Sequence, residues 1–413
     1  MAEALSTLAA KGLFRNLRTL SSGPDPWVEY EGRRLLHLVS NNYLGLATES
    51  RVVEAAAEAA RRYGAGAGAS RLMTGHTDLH AALEADLAAW KGTEAALVFP
   101  TGFAANLGVL TALAGPRDAI FADALNHASL IDGARLCRAT VRYYRHGDLD
   151  HLEHLIRKTR CRGRRLIVTD GVFSMDGDLA PLPGLVEIAE RHEALLVVDD
   201  AHGTGVLGPD GAGTAAHFGL SGRIPVQIGT LSKALGAQGG FVAGSRELID
   251  YLINRARPFI YSTGIAPPVA AAARTALALV RQEPERRARL RENARWLRQR
   301  LQAMGLRLVP AADTPILAVL IGEAEAALAF SQRLLEAGVL VPAVRPPAVP
   351  PGTSRLRVSV MATHTAEDLA MAAEALARAA ATLARVTTTP VRAGTDLGGG
   401  APPVRIPTPE VDA

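Results

Sequence analysis

The sequence predicts an α/β protein: a large domain with a seven-stranded, mainly parallel sheet, and a smaller α+β C-terminal domain. Three observations carry this. Between about residues 95 and 245, short apolar or β-branched runs alternate with helical patterns, the signature of a parallel sheet with helices on both faces. Polar clusters recur at the carboxyl ends of those runs, where such sheets bind ligands. Beyond Gly264 two long helical stretches lead into a separate strand–helix alternation.

In chain order, residues 1–45 read as an N-terminal arm. An amphipathic helix over Leu5–Leu20 precedes the turn cluster Ser21-Ser22-Gly23-Pro24. Trp27–Leu38 reads as a hairpin turning at Glu31-Gly32, ending in Ser40-Asn41-Asn42-Tyr43-Leu44-Gly45-Leu46. The large domain spans 46–257. It opens with a helix at 51–63 and the small-residue stretch Gly64–Arg71, whose backbone can approach a ligand closely. Its expected strands are Ala95–Phe99, Ala119–Ala122, Thr140–Tyr144, Leu166–Thr169, Leu195–Val198, Val226–Gly229 and Gly240–Ala243. The small domain with its linking helices spans 258–386. Helices are expected at Pro268–Gln282, Pro284–Met304, 323–337 and 365–385, with strands near Ile316–Ile321 and Arg355–Val360. Residues 387–413, rich in Pro and Gly, read as a disordered tail.

The 413 residues are 48% hydrophobic and 21% charged with a net charge of +4, which suits a soluble globular protein. The densest basic patches, Arg162–Arg165 and Glu285–Arg289, lack interleaved aromatics and read as solvated faces, so no nucleic-acid partner is expected. Cys137 and Cys161 form neither a disulfide framework nor a zinc site, no metal is expected, and a reducing compartment is favoured. Neither a signal segment nor a membrane-length apolar run occurs, so the expected location is cytoplasmic, with no membrane partner. Gly203-Thr204-Gly205-Val206-Leu207-Gly208 fits a dinucleotide-loop pattern, but Pro209–Gly213 continues it as loop where a helix is required, which argues against NAD.

The chemistry centres on Thr230-Leu231-Ser232-Lys233-Ala234-Leu235-Gly236. Small and apolar neighbours suggest a pocketed lysine, and a desolvated amine is the nucleophile that a Schiff base needs. If Lys233 carries pyridoxal 5'-phosphate (PLP), the other clusters supply what that cofactor demands. Asp199, ending an apolar run, suits the ring nitrogen, with Asp200 as the structural alternative. His202 suits the ring oxygen, and His127 could stack on the ring. Thr101-Gly102-Phe103 opens a helix and, with Thr230, suits the phosphate. An amino-acid carboxylate needs a bidentate arginine. Arg355 and Arg357 are the candidates, one of which could be a mere surface charge.

Over roughly residues 5–385 the chain resembles the α-oxoamine synthases, fold-type I PLP enzymes. The motifs are Ser40–Leu46, Leu125–Gly133, Asp170–Asp178, Asp199–Gly205, Thr230–Lys233 and Val341–Pro347 with Arg355–Thr365. The resemblance implies a decarboxylative condensation of an amino acid with an acyl thioester. Within the family the Ala201-His202-Gly203-Thr204-Gly205 segment points to the biotin-forming branch, which joins L-alanine to pimeloyl-CoA or a pimeloyl carrier protein. Asp170, where that branch often has Glu, leaves a glycine–acetyl-CoA enzyme as the alternative. It further implies that Lys233 holds PLP and acts as base and acid. His127 would stack, Asp199 would bind the ring nitrogen, and His202 and Ser174 would lie on the ring-oxygen side. Thr230, Gly102 and Phe103 would hold the phosphate together with Ser262 and Thr263 from a second subunit, so the protein is expected to be a homodimer with shared sites. Arg357 would bind the carboxylate with Asn42 nearby, and Arg15 would contact the acyl substrate.

Overall fold

A central sheet of seven strands has the order β3-β9-β8-β7-β6-β4-β5 in the structure, a computed structural model that describes residues 1–386 apart from 11, 12, 16 and 347. The expected tail at 387–413 and Pro347 of the proline motif lie outside the described residues. Helix α1 (Ala2–Ala10), hairpin β1 (Trp27–Tyr30) and β2 (Arg33–His37), α2 (Ser50–Tyr63) and α3 (Asp78–Lys91) precede the sheet. Then follow β3 (Ala95–Phe99), α4 (Gly102–Leu113), β4 (Ala119–Asp123), α5 (Ala128–Leu136), β5 (Thr140–Tyr144) and α6 (Leu149–Lys158). The sheet is completed by β6 (Arg165–Asp170), α7 (Leu182–Arg191), β7 (Ala194–Asp199), the short α8 (Thr214–His217), β8 (Val226–Thr230) and β9 (Gly240–Gly244). All seven expected strands are present. Pairings from β8 through β5 are parallel, and β9 alone runs antiparallel to both its neighbours, β3 and β8.

Period-two alternation explains why these strands read as unbroken apolar runs. In β4, Ile120 and Ala122 face α4 and α5, while Ala119 and Phe121 face α6 and α7. In β3, Leu97 and Phe99 join the first of these cores, whereas Ala96 and Val98 pack toward α3 and α11 (Pro267–Gln282). Both faces are covered, so both sets are apolar.

The connecting region carries α9 (Arg246–Arg255) and α10 (Arg257–Ile260) before α11, and α12 (Pro284–Ala303) after it. The C-terminal unit contains β10 (Ile316–Gly322), α13 (Ala324–Glu336), β11 (Val339–Leu340), β12 (Ala343–Val344), β13 (Ser354–Ser359) and α14 (Ala366–Val386). Strand β13 pairs antiparallel with β10 and β12.

Three features differ from the sequence reading. The first helix stops at Ala10, short of the expected Leu5–Leu20 span. None of its residues is buried, so no packing extends it beyond its weak intrinsic stability. The N-terminal hairpin turns at Glu31 and Gly32, both at positive φ (50° and 71°) as a tight hairpin turn requires. It is not a free arm, because β2 pairs in parallel with β11 (Leu36 with Val339) and Leu36 and Leu38 enter the C-terminal core. Lastly, the basic run at the start of α12 is not a solvated face. Arg287 is buried and donates to the carbonyls of Val280 and Pro209, while Arg286 pairs with Glu49 (2.5 Å) and Glu283 (2.6 Å).

Candidate active site

The turn after β8 presents Lys233. The Thr230 hydroxyl donates to the Gly239 carbonyl (2.9 Å) and lies 2.7 Å from Ser232 Oγ, closing the turn. Gly236 (φ 62°) sits in it because a Cβ there would lie 2.3 Å from the Ala47 amide nitrogen. The Lys233 amine lies 2.8 Å from His202 Nε2. Burial of that amine lowers its pKa to about 8, against the pull of Asp199 and Asp170. Burial also pushes His202 well below its ordinary range, helped by the cations Lys233 and Arg357, so its ring is neutral. The far nitrogen of His202, Nδ1, lies 2.7 Å from the Tyr43 hydroxyl.

At the ends of β6 and β7, Asp170 and Asp199 are register partners. Asp199 Oδ2 accepts from the Asn106 amide (2.6 Å) and Oδ1 from the Ala201 N–H (3.0 Å). Asp170 accepts from the His127 N–H (2.7 Å), and burial followed by the neighbouring Asp199 raises its pKa well above the carboxylate range. Asp170 thus stays neutral. His127 caps α5. Its Nδ1 accepts from the Ser129 N–H (3.3 Å) and lies 2.7 Å from Ser129 Oγ, which in turn accepts from Asn106 (2.7 Å). Burial depresses the His127 pKa. A continuous network therefore runs Asp199–Asn106–Ser129–His127. Asp200 has the structural alternative's role: its carboxylate meets the buried Lys91 amine (2.8 Å) and accepts from Thr204 and Thr214.

The start of α4 lies against the Thr230 turn. Thr101 caps the helix, its hydroxyl accepting from the Ala104 N–H (3.0 Å). Gly102 stands beside Thr230, since a Cβ on Gly102 would lie 3.6 Å from the Thr230 hydroxyl. Gly240 permits this approach: a Cβ there would lie 2.6 Å from the Gly102 nitrogen and Cα. Thr101, Gly102, Phe103 and Thr230 thus converge on one helix N-terminus, with a favourable dipole for an anion.

The opposite end is cationic. Arg357 Nε donates to the Ser174 carbonyl (2.5 Å), Nη1 to Ser359 Oγ (2.8 Å) and Nη2 to Asn41 Oδ1 (3.2 Å). Among the described residues no carboxylate lies within ion-pair distance of it. Arg355 is also buried, not a surface charge, and is already neutralised by Asp176. Of the two arginines, Arg357 is the one with charge to offer.

Other expected residues fall differently. Asn42 is spent on the turn, donating to the Pro24 carbonyl (3.2 Å) and accepting from the Ala47 N–H (3.1 Å). Asn41 faces Arg357 instead. Ser174 offers its carbonyl to that arginine. Arg15 is exposed in irregular chain beyond α1, and no contact ties it to these groups. Thr263 is exposed and bridges to Ser70, and Ser262 is half-buried beside it; neither touches the Lys233 cluster within one chain. Sequence reasoning assigned no role to Asn106, Ser129 or Tyr43. Asn106, a polar residue on the otherwise apolar face of α4, carried a readable signal. Ser129 and Tyr43 lay inside quoted motifs.

This arrangement defines a class. Residues 33–376 match the aminotransferase class I and II family, and the chain belongs to it. It is a PLP-dependent transferase of fold type I, and the donors fit that cofactor. They comprise a depressed lysine amine, an amide-supported aspartate, a neutral histidine, and a glycine-lined helix N-terminus. Within the class, sequence likeness is strongest to one activity among those compared. The chain is 49% identical over 367 residues to an 8-amino-7-oxononanoate synthase of Lysinibacillus sphaericus, covering 89% of this chain and 94% of the relative. It is 53% identical to that of Geobacter sulfurreducens, with the same coverages. Among solved structures, a serine palmitoyltransferase of Sphingomonas wittichii superposes with a TM-score of 0.88 at 34% identity, covering 93% of this chain and 97% of that one. An 8-amino-7-oxononanoate synthase of Francisella tularensis gives 0.74 at 29% identity, covering 85% and 99%.

Proposed function

We propose that this chain catalyses the decarboxylative condensation of L-alanine with a pimeloyl thioester, yielding 8-amino-7-oxononanoate, CO2 and the free thiol, the step that serves biotin synthesis. The observation that carries the chemistry is the Lys233 amine, buried beside a neutral His202 with its pKa lowered to about 8. Identity of about half to synthases of that name supports the substrate pair over glycine with acetyl-CoA.

PLP supplies an electron sink for the carbon next to the substrate nitrogen. Asp199, oriented by Asn106, would hold the proton on the ring nitrogen. His127 would cover the ring, and His202 with the Ser174 segment would serve the ring oxygen. Thr101, Gly102, Phe103 and Thr230 would bind the phosphate, with Ser262 and Thr263 of a second copy completing the site in a cytoplasmic homodimer. Arg357 and Asn41 clamp the alanine carboxylate and so fix the bonds around Cα relative to the ring; orientation of this kind can supply several kcal/mol, about 7–11 at most. Lys233 takes the Cα proton. Cα then bonds to the acyl carbon as the C–S bond breaks, the thiolate departs and takes a proton from solvent, the carboxylate leaves as CO2, and Lys233 returns its proton to Cα. Arg15 is assigned to the acyl chain's mouth.

Thiol release measured with all four pairings of L-alanine or glycine and pimeloyl-CoA or acetyl-CoA tests this. Highest kcat/KM is expected for L-alanine with pimeloyl-CoA. Preference for glycine with acetyl-CoA would overturn the substrate assignment while leaving the chemistry intact.

A further inference from the structure

Besides Ser359 of its own strand, Arg357 is held in place by groups from elsewhere in the chain. Its Nε rests on the Ser174 carbonyl, and Ser174 belongs to a tight loop over residues 172–179. That loop is closed by a bridge between Val172 and Leu179, by Phe173 N–H to the Asp178 carbonyl (3.0 Å) and by Gly177 N–H to the Phe173 carbonyl (2.8 Å). Its inner side meets the C-terminal unit at three points: Ser174 with Arg357, Asp176 with Arg355, and the Gly177 carbonyl with Thr314 Oγ1 (2.8 Å). It is thus the joint between the large sheet and the strand that carries the carboxylate clamp.

Beside the packing of Phe173 into the core, a histidine ties the outer side of the same loop to the sheet. His146 Nε2 lies 2.8 Å from Asp178 Oδ2, and His146 Nδ1 lies 3.0 Å from Asp123 Oδ1. Both ring nitrogens face carboxylates, so both must donate and the ring is an imidazolium. Its edge packs on Phe173, with ring centroids 4.4 Å apart and planes at 84°. Asp123 is anchored at the end of β4, accepting also from the N–H groups of Leu125 (2.8 Å) and Gly147 (3.0 Å). Burial opposes the charge on His146, yet the bonds to Asp123 and Asp178 outweigh it and raise its pKa to about 10.

We propose that His146 is a positioning residue for the substrate-carboxylate clamp: held between Asp123 and Asp178, it fixes the 172–179 loop and thereby the guanidinium of Arg357. The inference rests on the reading of Arg357 as the carboxylate site. Histidine suits this place because a flat ring with two opposed donors spans two fixed carboxylates and still stacks on Phe173.

The test uses the PLP-loaded protein and three variants: His146→Phe, which keeps the flat ring and removes both donors; Asp178→Asn, which removes the charge at the loop end; and Arg357→Ala. The L-alanine dissociation constant is read from the change in visible absorbance without acyl substrate. Hydrogen exchange at the Phe173 and Gly177 amides reads the loop directly. His146→Phe and Asp178→Asn should each weaken L-alanine binding roughly ten- to a hundredfold, the scale of a small misplacement of a binding group. Both should speed exchange at those two amides and leave PLP affinity and the KM for acyl thioester within about threefold. His146→Arg, whose fork can bridge two carboxylates, should recover part of the loss. Unchanged L-alanine binding in His146→Phe and Asp178→Asn, with Arg357→Ala impaired, would overturn the role of His146 alone. Unchanged binding in Arg357→Ala would overturn the clamp reading and the inference with it. Should His146→Phe fail to fold, Asp178→Asn carries the same comparison.

Discussion

Lys233 lies in a turn whose backbone is closed by Thr230 and Gly239, with its amine against a histidine that carries no charge. The consequence is a pH dependence. The neutral amine is the form that attacks an aldehyde, and burial brings its pKa down to about 8. PLP added to the apo chain should therefore be captured at a rate that rises with pH and levels off above a midpoint near 8, followed by the growth of visible absorbance. An ordinary lysine would keep gaining until about 10.4, so a midpoint there would refute the desolvated pocket. At this scale the sequence was informative where a residue type is chemically demanded. Lys233, Asp199, His202 and His127 could be named because each is the side chain its chemistry needs, standing at a strand end. Asn42 was expected beside Arg357, but Asn41 faces it, because which neighbour does so depends on the turn that Asn42 itself holds together through Pro24 and Ala47. Asn106 was missed because its partners Asp199 and Ser129 come from different elements, 93 and 23 residues away.

Elements were legible through their periodicity. The strands inside the sheet are largely apolar on both faces because both faces are covered, while the edge strand β5 exposes Arg142; the antiparallel direction of β9 was the part that apolar runs do not encode. The home of the N-terminal hairpin was hidden for a different reason: its partner β11 lies about 300 residues downstream, and no local pattern announces so distant a pairing. The loop after β7, which mimics a dinucleotide motif, is instead organised by charge. Lys91 from α3 reaches the buried Asp200 and Thr204 Oγ1 (2.9 Å), and the carbonyl of the partly buried Ala212 (2.6 Å). This pair anchors the segment that follows Asp199 and carries His202. Lys91→Met leaves Asp200 buried without its cation, a change that costs about 3–5 kcal/mol. Urea unfolding of the variant should show that loss as a lower midpoint, and a stability equal to wild type would mean the pair does not hold the loop.

At the scale of the whole molecule, the site is assembled across the joint between two units. The sheet contributes Lys233, Asp199, His202 and His127; the C-terminal unit contributes Arg357, and the 172–179 loop connects the two. No helix among the described residues is long and apolar enough to cross a membrane. The structural likeness is greater to the serine palmitoyltransferase than to the Francisella synthase, whereas sequence identity is higher to the Lysinibacillus and Geobacter synthases than to either. The three proteins share one scaffold, so structural likeness alone does not separate their activities. The reaction class is therefore the claim on which the rest depends. Carboxyl-labelled L-alanine incubated with pimeloyl-CoA and the PLP-loaded protein tests it most directly. The account predicts that the label leaves as CO2, that one thiol is freed for each CO2, and that the product retains the alanine nitrogen. Label retained in pyruvate, with the nitrogen passed to an added keto acid and no thiol released, would contradict it.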